Sequence, residues 1–235
     1  METFENLCFS FENFSGTARL FPLPNLVLFP HVMQPLHIFE PRYRALLEDA
    51  LKSDGLIAMA TLAPGWESDY EGRPPLYPTA CLGRIATHRR LGDGTYNVLV
   101  LGLRRVRLLG ELEPSRAFRE ARVEVCEDHC PPEQAACRAA IQHKLHEALL
   151  KILPMLPDAH EQLDHLLGTD LSLGMLTDVI GFMLELEIQQ KEALLAEVNV
   201  LRRAESLLGH LATLAVDDQP NNSCLLAFPP PFSAN

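Results

Sequence analysis

The sequence predicts an α+β protein: a small β-barrel with one early helix, followed by a C-terminal α-helical bundle. Three observations predict it. Prolines crowd the apolar stretch from Arg19 to Phe39, which forbids a helix there and leaves only short strands. Two β-rich runs flank the tight turn Gly92-Asp93-Gly94, the signature of a hairpin. Beyond Pro131 the apolar spacing changes from a period of 2 to one of 3.6.

Residues 1–18 read as a weakly structured lead-in. Short strands are expected at Leu20–Pro22, Val27–Phe29 and Gln34–Ile38. Pro41 sits where a first helical turn tolerates proline, and Tyr43, Leu46, Leu47, Ala50 and Leu51 form one stripe, so Arg42–Lys52 is a helix. Ser53-Asp54-Gly55 ends it. The apolar run Leu56–Leu62 suits a buried strand, and the Pro- and Gly-rich span Ala63–Pro78 reads as a long loop. The hairpin pairs Ala80–Leu91 with Thr95–Leu101, and Gly102 marks a bulge or sharp bend. Leu103–Leu112 and Ala121–Val125 alternate as strands. Six or so short strands imply closure, because a closed sheet has no exposed edges.

In the second half, Ile141, Leu145, Leu149 and Ile152 carry a helix over Cys137–Leu153, broken by Pro154 and Pro157. Helices over Leu173–Leu184, Ile188–Val198 and Val200–Leu214 follow, the last with Asn199 as N-cap. The expected division is a lead-in at 1–18, a barrel at 19–127, a helical bundle at 128–215 and a disordered tail at 216–235.

Of 235 residues, 47% are apolar and 22% charged, which excludes a wholly disordered chain. The formal charge is −11, from 31 acidic and 20 basic residues. It falls mostly beyond residue 125, and a chain this acidic is a poor general binder of nucleic acid or anionic membrane. The acidic N-terminus is not a secretory signal and no run is long enough to span a bilayer, so a cytoplasmic protein with no membrane partner is expected. Six dispersed cysteines do not make a disulfide scaffold.

A family resemblance rests on motifs in succession. Phe21-Pro22-Leu23-Pro24, Val27-Leu28-Phe29-Pro30 and Pro35-Leu36-His37-Ile38-Phe39-Glu40-Pro41-Arg42-Tyr43-Arg44 come first. Leu82-Gly83-Arg84-Ile85, Asp93–Val100 and Gly102-Leu103-Arg104-Arg105-Val106 follow, then Leu176–Ile180 and Lys191–Leu195. Together these segments resemble the Lon protease N-terminal domain over about residues 18 to 214. The resemblance implies a pseudouridine-synthase-like (PUA-like) barrel before the helices. It also implies a non-catalytic, stand-alone module for substrate binding in proteolysis and protein quality control. No G-x-x-x-x-G-K-[ST] phosphate loop occurs, and neither the ATPase nor the Ser–Lys protease module of Lon is expected in this chain.

The favoured ligand is unfolded or extended polypeptide, with a separate protease or chaperone to receive it. Trp66, Tyr70 and Tyr77 on the long loop are the expected anchors, because aromatic side chains bury much area at little entropic cost. A plug for the barrel's open end is the competing role for Trp66. Glu40, near the positive end of the first helix, is expected to be structural, with Arg42 and Arg44 pairing it or lying on the surface. Phe182 and Met183 are a second candidate pair, but at helical spacing they are expected in the core. No cofactor is expected. Cys126, Cys130 and Cys137 with His129, or His143 and His146 with Glu147, lack the spacing of a structural zinc site, and no metal is expected. No Ser or Cys sits in a nucleophile motif. Two alternatives stand beside polypeptide binding. One is an adaptor with a single dedicated protein partner. The other is an RNA-binding barrel, using Arg84, His88, Arg89 and Arg90 beside Arg104, Arg105 and Arg107.

Overall fold

The computed structural model describes residues 14–131, 135–152, 171–216 and 233–234. Residues 1–13 of the expected lead-in, the helix breaks at Pro154 and Pro157, and 217–232 of the expected tail lie outside the described residues.

The described residues form seven strands and five α-helices. The strands are β1 (Thr17–Leu23), β2 (Met33–Ile38), β3 (Leu56–Leu62), β4 (Leu76–Arg90), β5 (Tyr96–Glu111), β6 (Arg119–Cys126) and β7 (Ser233–Ala234). The helices are α1 (Pro41–Leu51), α2 (Ala135–Ile152), α3 (Leu173–Met183), α4 (Ile188–Ala196) and α5 (Val200–Val216). One mixed sheet runs β4-β3-β1-β6-β5-β2-β7, and β4 also pairs with β5. Five strands therefore close a circuit, leaving β2 attached outside it through β5. The strands are longer than expected. β5 is a single 16-residue strand, not two.

Gly102 explains how β5 stays continuous. Leu82 opposes Arg104 while Gly83 opposes Gly102, so Leu103 is the extra residue of a bulge. Gly102 also lets another segment pass close by, since a Cβ there would lie 2.1 Å from the Phe29 carbonyl oxygen. That segment is the one expected as a strand at Val27–Phe29, and it is not one. Val27, Leu28 and Phe29 are all buried, with Pro24 and Pro30 on either side, so no alternating face or proline amide is available for a ladder. It docks instead by the His31 amide donating to Gly102 O (2.8 Å) and the Gly102 amide donating to Val32 O (2.9 Å).

Two apolar clusters form. The smaller draws only on the five closed strands, with Leu20, Ala58, Ala80, Leu82, Val106 and Ala121 filling the space they enclose. The larger joins the sheet to the helices, from Phe21, Phe29, Leu36 and Tyr43 across to Phe182, Leu195 and Leu207. Leu20 and Phe21 serve opposite clusters, as neighbours on a strand covered on both faces must. Phe182 and Met183 are core residues, as expected. In the helical half α2 packs on α5, and α3 packs on both α4 and α5. Asn199 caps α5 by accepting from the amides of Leu201 (3.0 Å) and Arg202 (3.2 Å).

Candidate functional site

The expected loop is an anchored structure, shorter than read because β4 already begins at Leu76. Its base closes where the Ala63 amide donates to Pro75 O at 2.8 Å. Inside it Gly65, at φ 94°, admits the short 3-10 turn Trp66–Ser68. Trp66 and Tyr70 meet edge to face, ring centroids 5.7 Å apart, in the favoured geometry for two aromatic quadrupoles. Tyr77 lies on β4 and makes no ring contact with them among the described residues. Trp66 and Tyr70 are half-buried, and Trp66 belongs to neither apolar cluster.

Glu40 ties this pair to the body. Its side chain does not cap α1. One carboxylate oxygen accepts from the Tyr70 hydroxyl at 2.8 Å, and the other accepts from Arg42 Nε at 2.9 Å. Arg42 in turn donates to Tyr70 O at 3.2 Å and lies 4.7 Å from the ring centroids of both Tyr43 and Tyr70. Burial raises the Tyr70 phenol above its ordinary value, and the bond to Glu40 adds to the rise, so it stays a donor. Arg44 goes elsewhere, donating to Gly94 O at 3.3 Å. The motif from Pro35 to Arg44 thus carries β2, the start of α1 and the clasp that positions the aromatic pair.

Beside the clasp lies a cavity of about 220 Å³, lined by Arg42, Tyr43, Arg73, Arg116, Phe118 and Arg119 among others. Its guanidinium groups are engaged. Arg42 pairs with Glu40, Arg116 with Asp49, and Arg119 with Glu111. Arg73 shares Glu111 with Arg119. Four large hydrophobics are exposed among the described residues: Met33 (39%) and Phe39 (42%), at the start and just past the end of β2, and Leu51 and Leu109 elsewhere.

A second polar cluster sits where sheet meets helices. Asp178 of α3 accepts from Arg105 Nη1 (3.2 Å) and Nη2, and Arg105 Nε donates to Leu195 O at 2.9 Å. Arg203 of α5 donates to Asp128 at 3.0 and 2.7 Å and to the Thr177 hydroxyl at 2.8 Å. Two cations thus face two anions. Burial alone would raise the Asp128 carboxyl, but hydrogen bonds from Arg203 and the charges of Arg203 and Arg105 hold it below the usual range. Arg105 is therefore lost to any exposed basic patch, and Arg107 pairs with Glu124. Of the other residues named for RNA, His88, Arg89, Arg90 and Arg107 are exposed, and Arg84 and Arg104 are half-buried. The sequence reading missed Arg203. It falls on the stripe of Val200, Ala204 and Leu207, and a charge on an apolar stripe is the signal of a buried partner.

The cysteine segment is a seam. Next to Cys130, the His129 amide donates to Val198 O (2.8 Å) and His129 O accepts from the Val200 amide (3.0 Å). Among the described residues no three His, Cys, Asp or Glu side chains gather as metal ligands. His143 faces Glu147 at 3.4 Å. Among the described residues no helix is long and apolar enough to cross a membrane.

A closed mixed sheet thus carries an anchored aromatic loop and is locked to helices through buried ion pairs. The chain belongs to the ATP-dependent protease La (LON) substrate-binding domain family, which it matches over residues 17–213. It is 29% identical to Lon protease 2 of Myxococcus xanthus over 199 residues, covering 84% of this chain and 24% of that protein. It spans about a quarter of the length of the curated relatives it matches. Its fold resembles the crystal structure of a Lon N-terminal domain protein from Xanthomonas campestris (TM-score 0.58, 23% identity, 82% of this chain and 97% of that chain). It also resembles the N-terminal domain of Mycobacterium avium complex Lon protease (TM-score 0.65, 20% identity, 86% and 100%).

Proposed function

We propose that this chain is a non-catalytic, cytoplasmic module that holds unfolded or extended polypeptide and passes it to a separate protease or chaperone. The observation that carries the reading is the Trp66–Tyr70 pair, held half-exposed on a loop that Glu40 and Arg42 clasp to the body. A rigid aromatic pair loses little entropy on binding, so most of the apolar area it covers is realised as affinity, at about 25 cal/mol per Å² before ordering costs. Tyr77, on the strand that leaves the same loop, is the third expected anchor. The strand circuit supports a PUA-like barrel, and the packing of α2, α3, α4 and α5 supports a helical bundle behind it.

Trp66→Ala tests the reading. Truncating an anchor of this kind costs more than about 1 kcal/mol. Titration of a fluorescein-labelled unfolded polypeptide is therefore expected to show affinity weakened at least fivefold, with an unchanged circular dichroism spectrum. Unchanged affinity in the folded variant removes the loop from the site. Capture from lysate separates the adaptor alternative: many heat-enriched proteins support a receptor for unfolded chains, and one stoichiometric, heat-indifferent protein supports an adaptor.

A further inference from the structure

We propose that the outer edge of β2 is where an extended, uncharged apolar polypeptide adds as a parallel strand, and that Ser233–Ala234 of this chain is its resident competitor. The proposal rests on the polypeptide-binding reading and supplies the place of binding. β2 is paired to β5 along its whole length, from Met33↔Leu101 to Ile38↔Tyr96. Its other edge takes no part in the closed circuit. That edge already receives a strand, since β7 pairs with it in parallel, Leu36 opposite Ser233 and His37 opposite Ala234. β7 pairs with two of the six β2 residues; of the six, Met33 is exposed, His37 is half-buried and the other four are buried. A strand edge with unmet amides and carbonyls is a template for another chain, and proteins guard such edges with charge or proline. β2 reads Met-Gln-Pro-Leu-His-Ile and carries no Lys, Arg, Asp or Glu; Pro35 is its one guard, with no amide to donate and a carbonyl that accepts from Gln34 Nε2 at 2.8 Å.

The surroundings fit the same occupant. Met33 and Phe39, exposed at the two ends of this edge, are two of the four exposed large hydrophobics among the described residues. Phe39 is followed at once by Glu40, the residue that holds Tyr70, so the edge runs toward the aromatic pair. Backbone pairing along an edge, with side-chain contacts at its ends, is how strand addition combines affinity with tolerance of sequence. The sequence that leads into β7 has the chemistry of such a client, for residues 221–234 contain no charged side chain and include Phe228 and Phe232. A tethered segment competes at an effective concentration that reaches millimolar even when its own pairing is weak.

The experiment uses the full chain and a full-length variant carrying Ser233→Pro and Ala234→Pro, which removes both β7 amide donors. Each is titrated with a short, uncharged, apolar fluorescein-labelled peptide, and amide hydrogen exchange is followed across Met33–Ile38. The variant is expected to bind the peptide three- to tenfold more tightly. It should exchange faster across β2 when free and regain protection when the peptide is added. Equal affinity in both proteins overturns the edge proposal while leaving polypeptide binding in place. Binding that protects the segment around Trp66 but not β2 does the same. No binding by either protein overturns both readings.

Discussion

Arg105, Asp178 and Arg203 are each at most 3% exposed, yet all carry charge. Their value lies in being complete. Asp178 answers Arg105 and lies 3.6 Å from Arg203, Asp128 answers Arg203 and Arg105, and the sum is zero. Burial keeps the nearby His31 imidazole below its usual value against the pull of Asp178, so it adds no third cation at neutral pH. Removing one member leaves a buried charge without its counterpart, which costs about 3–5 kcal/mol. Asp178→Asn keeps the shape and deletes the charge. Its unfolding free energy in urea titration is expected to fall by that amount, a large part of the 5–15 kcal/mol typical of a domain. Arg107→Ala breaks an exposed pair with Glu124 and should cost under about 1 kcal/mol. Equal effects of the two substitutions would mean that the buried cluster is no lock.

At the scale of elements, the anchored loop makes its own prediction. Tyr70→Phe removes only a hydroxyl, and with it the bond to Glu40. Because Tyr70 is half-buried, the global cost is expected to be about 1 kcal/mol, the usual net worth of one hydrogen bond. The local effect should be larger. Trp66 is the chain's only tryptophan, so a red shift in its emission and faster proteolysis within 63–75 would report a loosened loop. Unchanged emission would show that the ring contact alone holds the pair. This clasp was half legible in the sequence. Proline density and aromatic content marked the loop, and the motif from Pro35 to Arg44 marked its anchor. The contact between them joins residues thirty apart and leaves no periodic trace. Helices in the second half were legible because apolar periodicity and an Asn cap are local signals. Arg105 was misread for a physical reason. Alternation correctly set it opposite Val106, but the outward face of β5 is covered there by helices, and a strand's own sequence does not say what lies above it. Val27–Phe29 failed likewise: an apolar run looks the same as a strand or as a buried crossing segment.

Across the whole molecule, two adjacent residues of α4 set how stability responds to pH. Lys191 and Glu192 are nearly buried and do not answer each other, because successive helical positions point about 100° apart. Lys191 Nζ donates to Phe182 O at 2.9 Å, while Glu192 lies against the Thr61 hydroxyl with Oε1 unpartnered. The single Thr61 proton goes to Leu26 O at 3.2 Å, which leaves the Thr61 oxygen free to accept from a protonated Glu192. Burial pushes the Glu192 carboxyl from 4.5 up to about 7 and the Lys191 ammonium from 10.5 down to about 8. For Glu192 the folded chain holds more protons than the unfolded one between those values, so its contribution is complete below pH 4.5 and lost as pH rises through 7. For Lys191 the unfolded chain holds more, so its contribution is complete above pH 10.5 and lost as pH falls through 8. Between about pH 7 and 8 both burials work against the fold. Glu192→Gln keeps a donor for Thr61 and removes the titration. A shift of this size corresponds to at most about 3 kcal/mol at 1.36 kcal/mol per unit. The variant is expected to gain about 1–3 kcal/mol over the parent in urea unfolding at pH 8 and nothing at pH 4.5. An equal gain at both values would assign the effect to packing, and no gain at pH 8 would mean that the folded chain already accommodates the carboxylate charge.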